Sequence, residues 1–202
     1  MPYAERADIR HHDPMPDPTS QTPPTPAPDA KDWTWVIEQP CPDCGFAGAL
    51  IAPGEFAIRI AAATAPWQEV LRRSDVRDRP APTTWSPLEY SCHVRDVCRI
   101  FDERTRLMLT EIDPGFANWD QDATALEERY WEQDPGQVAA DLATAATQLS
   151  RTYAAVPADA WGRTGRRSNG SVFTVTTLGR YLLHDLVHHL WDVGAAPLAR
   201  EK

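Results

Sequence analysis

The stretches SPLEYSCHVRDV at residues 86–97 and LGRYLLHDLVHHLWDV at residues 178–193 decide the fold of this chain. The first opens with serine at the N-cap, proline at the first helical position and glutamate three residues after the cap, which is a full capping box. The second is apolar on almost every side, a pattern typical of a buried helix. We therefore predict long helices over about residues 86–111 and 177–193.

Two more helical segments complete the pattern. Apolar residues at helical spacing predict a helix over about residues 53–74, kinked or divided at Pro66. The sequence Asp-Pro-Gly-Gln at 134–137 repeats the capping signal and opens a helix that ends near residue 155. Four helices with apolar stripes predict an all-α fold, a four-helix bundle. The run SVFTVTT at 171–177 is either extended or leads directly into the last helix.

The chain divides into three segments by composition. Residues 1–30 are rich in proline and poor in large apolar side chains, which predicts a disordered tail. Residues 31–52 form a lead-in segment with Cys41-Pro-Asp-Cys44, and residues 53–202 form the bundle. A structural zinc site needs four ligands, usually two such cysteine pairs, and the sequence has one. The pair is therefore read as a structural turn, a redox or second metal site, or part of an active-site rim.

Charge and hydropathy exclude several classes of function. The formal net charge is −9 at pH 7, whereas a protein that binds nucleic acid normally carries a basic surface. No stretch approaches the roughly 20 apolar residues that span a bilayer. The first residues lack the apolar core of a secretory signal. We expect a cytoplasmic protein that acts on a small molecule and binds neither nucleic acid nor membrane.

Histidines on two of the predicted helices indicate a metal site. His184 and His188 are four residues apart, so their side chains lie about 40° apart on one face of the last helix. His93, flanked by apolar residues of the helix over 86–111, is predicted to point inward. Three imidazoles from two helices would bind Zn²⁺, Ni²⁺ or Fe²⁺ and leave a position open for water or substrate.

The remaining polar residues of the last helix have two interpretations. His189 lies about 100° around the helix from His188 and would not join the same site. It pairs more readily with Asp185, four residues earlier, as a supporting contact outside the metal ligands. The alternative is a site built on Asp185 and His189 themselves. A third reading treats all these side chains as hydrogen-bonded core residues.

Two loops contain candidate substrate-binding residues. Arg166 and Arg167 precede the last helix and would attract an anionic substrate, or else form surface ion pairs. Trp119 and Asp120 follow the helix that carries His93 and would cover the cavity, or else form an ordinary surface loop.

The two histidine motifs together resemble the DinB/YfiT-like superfamily of metal-binding four-helix bundles, over roughly residues 53–193. That family includes thiol-dependent S-transferases and the mycothiol-dependent maleylpyruvate isomerase. The resemblance implies an up-down-down-up bundle, frequent homodimers, and a metal on one early histidine of the second helix and two residues four apart in the last. It places those ligands at His93, His184 and His188.

The resemblance also implies a reaction. A metal-bound low-molecular-weight thiol such as mycothiol would attack a small electrophile, which makes the protein a metal-dependent, thiol-using transferase or isomerase. The alternatives are a non-catalytic metal-binding or sensing bundle and a purely structural bundle. An open coordination position facing a cavity would favour catalysis over sensing.

Overall fold

The structure, a computed structural model, describes residues 23–24 and 32–195. The α-helices are α1 (Phe56–Thr64), α2 (Trp67–Val70), α3 (Pro87–Thr110), α4 (Gln121–Glu127), α5 (Pro135–Ala154) and α6 (Val175–Asp192). The strands are β1 (Gly115–Phe116), β2 (Thr164–Arg167) and β3 (Val172–Thr174). Short 3₁₀ helices cover Thr34–Ile37, Gly48–Leu50, Pro53–Glu55 and Tyr130–Glu132. The predicted disordered tail lies outside the described residues, apart from residues 23–24.

The ends of the long helices follow from their caps. The Ser86 hydroxyl accepts from the Glu89 N–H at 3.3 Å, and the Glu89 carboxylate accepts from the Ser86 N–H at 2.8 Å. Each bond satisfies a backbone donor that the first helical turn leaves unpaired. Thr174 and Thr177 make the same reciprocal pair at the start of α6, which therefore begins two residues before the predicted Thr177.

The first helical segment is divided, as the proline in it predicted. Pro66 lies between α1 and α2. Proline has no backbone N–H, and its ring clashes with the carbonyl four residues earlier, so a continuous helix is costly at this position.

The helices pack as a bundle around one large core. Helix α3 packs most extensively against α5, α5 also packs against α1, and α6 contacts both α1 and α3. At Gly179 of α6, a Cβ atom would lie only 2.8 Å from the Phe56 ring and 2.9 Å from the Tyr153 ring. The glycine thus lets the first turns of α6 approach Phe56 of α1 and Tyr153 of α5 closely.

A small sheet corrects the all-α expectation. Strands β1 and β2 pair in parallel, and β2 pairs antiparallel with β3. The run at 171–177 is thus first extended and then helical, because its β-branched residues suit a strand and Thr174 caps the helix. The structure confirms a mostly helical bundle. The up-down-down-up order of its helices stays a prediction.

The lead-in segment runs against α6. Its 3₁₀ helices at Thr34–Ile37 and Gly48–Leu50 both contact α6. Val36 is fully buried, and Ile51 is nearly so. Cys41 and Cys44 are buried between these two short helices and the α6 surface. Within the described residues, no helix combines the length and apolar character that crossing a membrane requires.

Candidate metal centre

Helix α6 presents two pairs of metal-ligating side chains on adjacent faces, each pair spaced by four residues. His184 and His188 form one pair, with ring centroids 5.0 Å apart. Asp185 and His189 form the other, with the Asp185 Oδ1 atom 3.6 Å from His189 Nε2. Each pair meets partners from a different part of the chain, so the structure contains two separate sets of donors.

The first set, which we call the histidine–aspartate centre, consists of His93, Asp185 and His189. One potential ligand atom from each residue lies within 4.8 Å of the others. His93 Nε2 is 3.5 Å from Asp185 Oδ1, and the His93 and His189 rings meet edge to face at 4.7 Å. Two imidazoles and one carboxylate form a donor set common to catalytic sites of zinc and non-haem iron.

Aromatic rings hold His93 in place. The Trp119 indole stacks on the imidazole at 5.2 Å, with the two planes only 8° apart. Trp85 lies on another side of the ring, at 5.3 Å. Trp119 is fixed in turn by its own Nε1–H, which donates to the Thr124 hydroxyl at 2.7 Å. The histidine is therefore pre-oriented toward α6 in an apolar enclosure.

Three polar atoms of this centre, two on His93 and one on Asp185, are buried without hydrogen bonds in the part of the chain that the structure describes. His93 is completely buried, and neither its Nδ1 nor its Nε2 has a hydrogen-bond partner there. The Asp185 Oδ1 atom is also buried without a hydrogen-bond partner among these residues. Such atoms cost free energy unless an ion or a water molecule pairs with them. The donor chemistry and these three atoms therefore fit a bound divalent cation.

The electrostatics of the centre suit a cation. Burial lowers the pKa of His93, which favours the neutral imidazole that a metal requires. Burial acts to raise the pKa of the Asp185 carboxyl, but the neighbouring His189 and His93 lower it to about 2. A neutral imidazole and an ionised carboxylate are the protonation states in which these groups ligate a metal.

Asp192 supports the centre from the next turn of α6. Its Oδ2 lies 2.7 Å from His189 Nδ1, which leaves His189 Nε2 directed toward Asp185 and His93. A carboxylate on the far nitrogen fixes the tautomer of a ligating histidine and makes it a better donor to metal. The other carboxylate oxygen, Oδ1, lies 3.9 Å from His188 Nε2, so Asp192 stands between the two sets.

The second set, which we call the cysteine–histidine cluster, consists of Cys41, Cys44, His184 and His188. One potential ligand atom from each lies within 4.8 Å of the others. The Cys41 Sγ atom is 3.7 Å from His188 Nδ1. Trp33 covers both histidines, with ring centroids 5.3 Å from His184 and 5.1 Å from His188.

Burial dominates the titration of this cluster. It raises the pKa of the Cys44 thiol to about 12, against a smaller opposite effect of the Phe46 backbone hydrogen bond. Burial and the neighbouring His188 lower the pKa of His184 to about 4. In the absence of a cation, the Cys44 thiol and the His184 imidazole are therefore held in their neutral forms.

A cavity of about 290 Å³ adjoins both sets. Asp185 and His189 line it, while His93 lies buried behind them. The other lining residues are aromatic, hydroxyl-bearing, amide or acidic, or belong to the second histidine pair: Trp33, Thr83, Thr84, Trp85, Tyr90, Gln121, Asp122, Tyr181, His184, His188 and Asp192. A small molecule in this cavity would therefore reach the histidine–aspartate centre from one side.

The four predicted substrate-binding residues lie at different distances from this cavity. Trp119 packs on His93 rather than over the cavity. Asp120 caps α4, where its carboxylate accepts from the Ala123 N–H at 2.9 Å, and the next two residues, at 121–122, line the cavity instead.

The two arginines take part in local contacts. Arg166 donates to Asp113 at 2.6 Å on an exposed surface. Arg167 lies over the rings of Phe173 and Tyr181, at 5.4 and 5.7 Å. Only the Tyr181 contact connects this pair to the cavity wall, so their predicted attraction of an anionic substrate receives no support from their positions.

The grouping of the histidines differs from the predicted triad of His93, His184 and His188. The structure brings His93 together with Asp185 and His189, the pair that we had assigned a supporting role, and leaves His184 and His188 to the cysteines. The physical reason is the rotation of α6, since the two pairs lie about 100° apart and only one of them faces α3. This grouping coincides with the alternative built on Asp185 and His189, and which residues bind a metal stays a prediction.

Sequence reasoning also missed the partnership between the lead-in segment and α6. A four-ligand site does not require a second cysteine pair, because two histidines four residues apart can supply the other two ligands. The signal was therefore present as Cys-x-x-Cys together with His-x-x-x-His. The bridging position of Asp192 had no comparable signal.

The structure defines the class as a helical bundle with candidate metal-ligand groups beside a cavity, and comparison with known proteins gives the family. A sequence model of the DinB superfamily matches residues 58–193, and the chain belongs to that superfamily. Its fold is similar to that of YfiT from Bacillus subtilis, described as a probable metal-dependent hydrolase with an unusual four-helix bundle topology. That similarity has a TM-score of 0.62 at 16% identity and covers 70% of this chain and 85% of YfiT. No protein with a curated description matches the chain significantly.

Proposed function

We propose that this protein is a metal-dependent enzyme that joins a low-molecular-weight thiol to a small electrophile, with the cation held by His93, Asp185 and His189. The observation that carries the proposal is that both ring nitrogens of His93 and the Asp185 Oδ1 atom are buried without hydrogen-bond partners among the described residues, beside a cavity that Asp185 and His189 line. Such atoms are stabilised by a cation, and three protein ligands leave coordination positions open.

The donor set limits the metal without selecting one. Two imidazoles and a carboxylate suit Zn²⁺, Fe²⁺ or Ni²⁺. When bound, such a cation lowers the pKa of a coordinated water or thiol, so that a nucleophile is available at neutral pH.

The chain's own residues position the reaction. Trp119 and Trp85 hold the His93 ring and exclude water from its far side. Asp192 holds the His189 tautomer by accepting from Nδ1–H. Hydroxyls and carboxylates on the cavity wall would bind the polar groups of a polyhydroxylated thiol such as mycothiol, and the aromatic rings would pack against an apolar electrophile.

The choice of a thiol rests on the family resemblance, and the walls of the cavity are compatible with it. Among the described residues, those that line the cavity include aspartates but neither lysine nor arginine. A neutral or cationic electrophile therefore suits the cavity better than an anionic one. This revises the expectation of an anionic substrate that the arginines had suggested.

Hydrolysis is the second candidate. YfiT, whose fold this chain shares, is described as a probable metal-dependent hydrolase. In that case water rather than a thiol would be the nucleophile, and the same three residues would hold the cation.

The experiment incubates the full-length chain, loaded with Zn²⁺, Fe²⁺ or Ni²⁺, with electrophiles of different charge, with and without each common bacterial thiol. We expect thiol adducts by mass spectrometry with neutral or cationic electrophiles, and their loss in His93→Ala. If products form equally well without thiol, the proposed activity would be hydrolysis instead of thiol transfer. Metal-replete protein that forms neither product would support the non-catalytic, metal-sensing alternative and contradict the proposal.

Our predictions about location and partners belong to this proposal. We expect the enzyme to act in the cytoplasm on a small molecule, as a homodimer, without nucleic acid or membrane. The acidic net charge of −9 supports the exclusion of nucleic acid.

A further inference from the structure

The cysteine–histidine cluster lies outside the proposed reaction, yet it has the composition of a complete metal site. Two cysteines in Cys-x-x-Cys spacing and two histidines in His-x-x-x-His spacing are the ligands of a Cys₂His₂ zinc site. The pairs are far apart in sequence, since 140 residues separate Cys44 from His184, and the fold brings them together.

We propose that Cys41, Cys44, His184 and His188 bind a structural zinc ion that fastens the lead-in segment to α6. All four ligand atoms lie within 4.8 Å of one another. Zn–S bonds of about 2.3 Å and Zn–N bonds of about 2.0–2.1 Å, in a tetrahedron, put neighbouring ligand atoms about 3.3–3.8 Å apart. The distance of 3.7 Å between Cys41 Sγ and His188 Nδ1 already falls in this range.

The backbone of the lead-in segment forms a tight turn that presents both thiols to α6. The Gly45 N–H donates to the Cys41 carbonyl at 2.9 Å, and the Cys41 N–H donates to the Phe46 carbonyl at 2.8 Å. Gly45 has a φ of 74°, a left-handed conformation that glycine adopts without strain. The turn is therefore ordered by its own hydrogen bonds before any cation binds.

The burial of the cluster indicates an ion rather than apolar packing. Cys41 is 1% exposed and His184 is 4% exposed. The His184 Nε2 atom is buried with no hydrogen-bond partner in the described part of the chain. The Asp192 carboxylate lies 3.9 Å from His188 Nε2, the ring nitrogen that does not face Cys41, and adds a negative charge near this histidine.

The charges balance when zinc binds. The two thiols each release a proton to solvent and become thiolates, while the imidazoles bind as neutral ligands. Two thiolates neutralise the charge of Zn²⁺, so the completed site has no net charge and can remain buried. Four protein ligands close the coordination sphere, which makes the site structural rather than catalytic.

The first test measures zinc in the full-length chain, made without a histidine tag and dialysed against a moderate chelator. We expect one retained zinc per chain in the wild type and in His93→Ala, which removes a ligand of the other centre. Cys41→Ser and Cys44→Ser should lose it, with affinity reduced by more than about a hundredfold. Cys92→Ser is the matched control, because Cys92 is buried on α3 outside the cluster, and it should retain zinc.

The second test needs no variant of the cluster, so it does not depend on how the serine variants fold. X-ray absorption at the zinc edge of His93→Ala should show two sulfur and two nitrogen neighbours, at about 2.3 Å and about 2.0–2.1 Å. Titration of wild-type thiols with a mercurial should release the retained zinc. A spectrum with nitrogen and oxygen neighbours only, or a zinc-free wild type with Cys41 and Cys44 oxidised to a disulfide, would overturn the proposal.

Discussion

The two faces of α6 have the same four-residue spacing in different surroundings. Asp185 and His189 meet one further potential ligand, the buried His93 of α3, and they line a cavity. His184 and His188, one residue earlier in each case, meet two cysteines from the lead-in segment. Three protein ligands leave a cation open to chemistry, whereas four close it. The comparison shows that the number of protein donors, rather than the histidine motif, distinguishes the two proposed roles.

The largest effect that separates the two faces should come from His93→Ala. The substitution removes a ligand of the histidine–aspartate centre, and we expect activity to fall by more than about a hundredfold. The fold should persist, because the ring nitrogens of His93 form no hydrogen bonds with the described residues. Steady-state kinetics and circular dichroism measure the two quantities. Near-normal activity in a well-folded His93→Ala protein would place the chemistry elsewhere.

Removal of zinc from the cysteine–histidine cluster should lower the thermal stability of the protein. A ligand that binds only the native state at about a thousand times its Kd stabilises it by about 4 kcal/mol. In His93→Ala, which removes a ligand of the other centre, a strong chelator should therefore lower the thermal unfolding midpoint by several degrees or more, and Cys44→Ser should do the same without chelator. Cys92→Ser in the same chelator series is the control for thiol loss. A midpoint that does not respond to the chelator would argue against a structural ion.

Asp192→Asn should weaken metal binding at both sites, and the loss of affinity should be larger at the histidine–aspartate centre than at the cysteine–histidine cluster. The amide oxygen can still accept from His189 Nδ1–H at this position, but it carries no negative charge and therefore makes the ring a weaker donor to metal; loss of such a carboxylate partner typically costs 10–100-fold in metal affinity. The contact with His188 is longer, at 3.9 Å, so the cysteine–histidine cluster should lose less. Isothermal titration of each site, with the other disabled by His93→Ala or Cys41→Ser, compares the two losses. Equal losses, or a larger loss at the cluster, would contradict this assignment of Asp192.

The smallest effect should come from Ser86→Ala, which removes the capping hydroxyl of α3 but none of the candidate metal ligands. Loss of the capping hydroxyl should cost about 1 kcal/mol in the free energy of unfolding. Denaturant unfolding measures this, and metal content should not change. A loss of metal in this variant would mean that the start of α3 is coupled to the centre more strongly than the contacts suggest.

Much of the fold was predictable because local signals and the global packing agree. Ser86 and Glu89 fixed the start of α3, and Pro66 fixed the break between α1 and α2. The small sheet was not predictable, because β1 is only two residues long and its pairing with β2 is a tertiary contact.

The candidate residues of both sites were visible in the sequence, but their grouping was not. A helical wheel shows that His188 and His189 point in different directions, yet it does not show which of them faces His93. That depends on the rotation of α6, which close packing at Gly179 helps to set. The cysteines pose the same problem at longer range, since their approach to α6 depends on the path of the lead-in segment.

The division of α6 into two metal-binding faces is tested most directly by anomalous diffraction at the zinc edge from crystals of the zinc-loaded full-length protein. We predict two separate peaks, one among Cys41, Cys44, His184 and His188 and the other among His93, Asp185 and His189. A single peak shared by His93, His184 and His188 would contradict the division and restore the triad that the sequence first indicated.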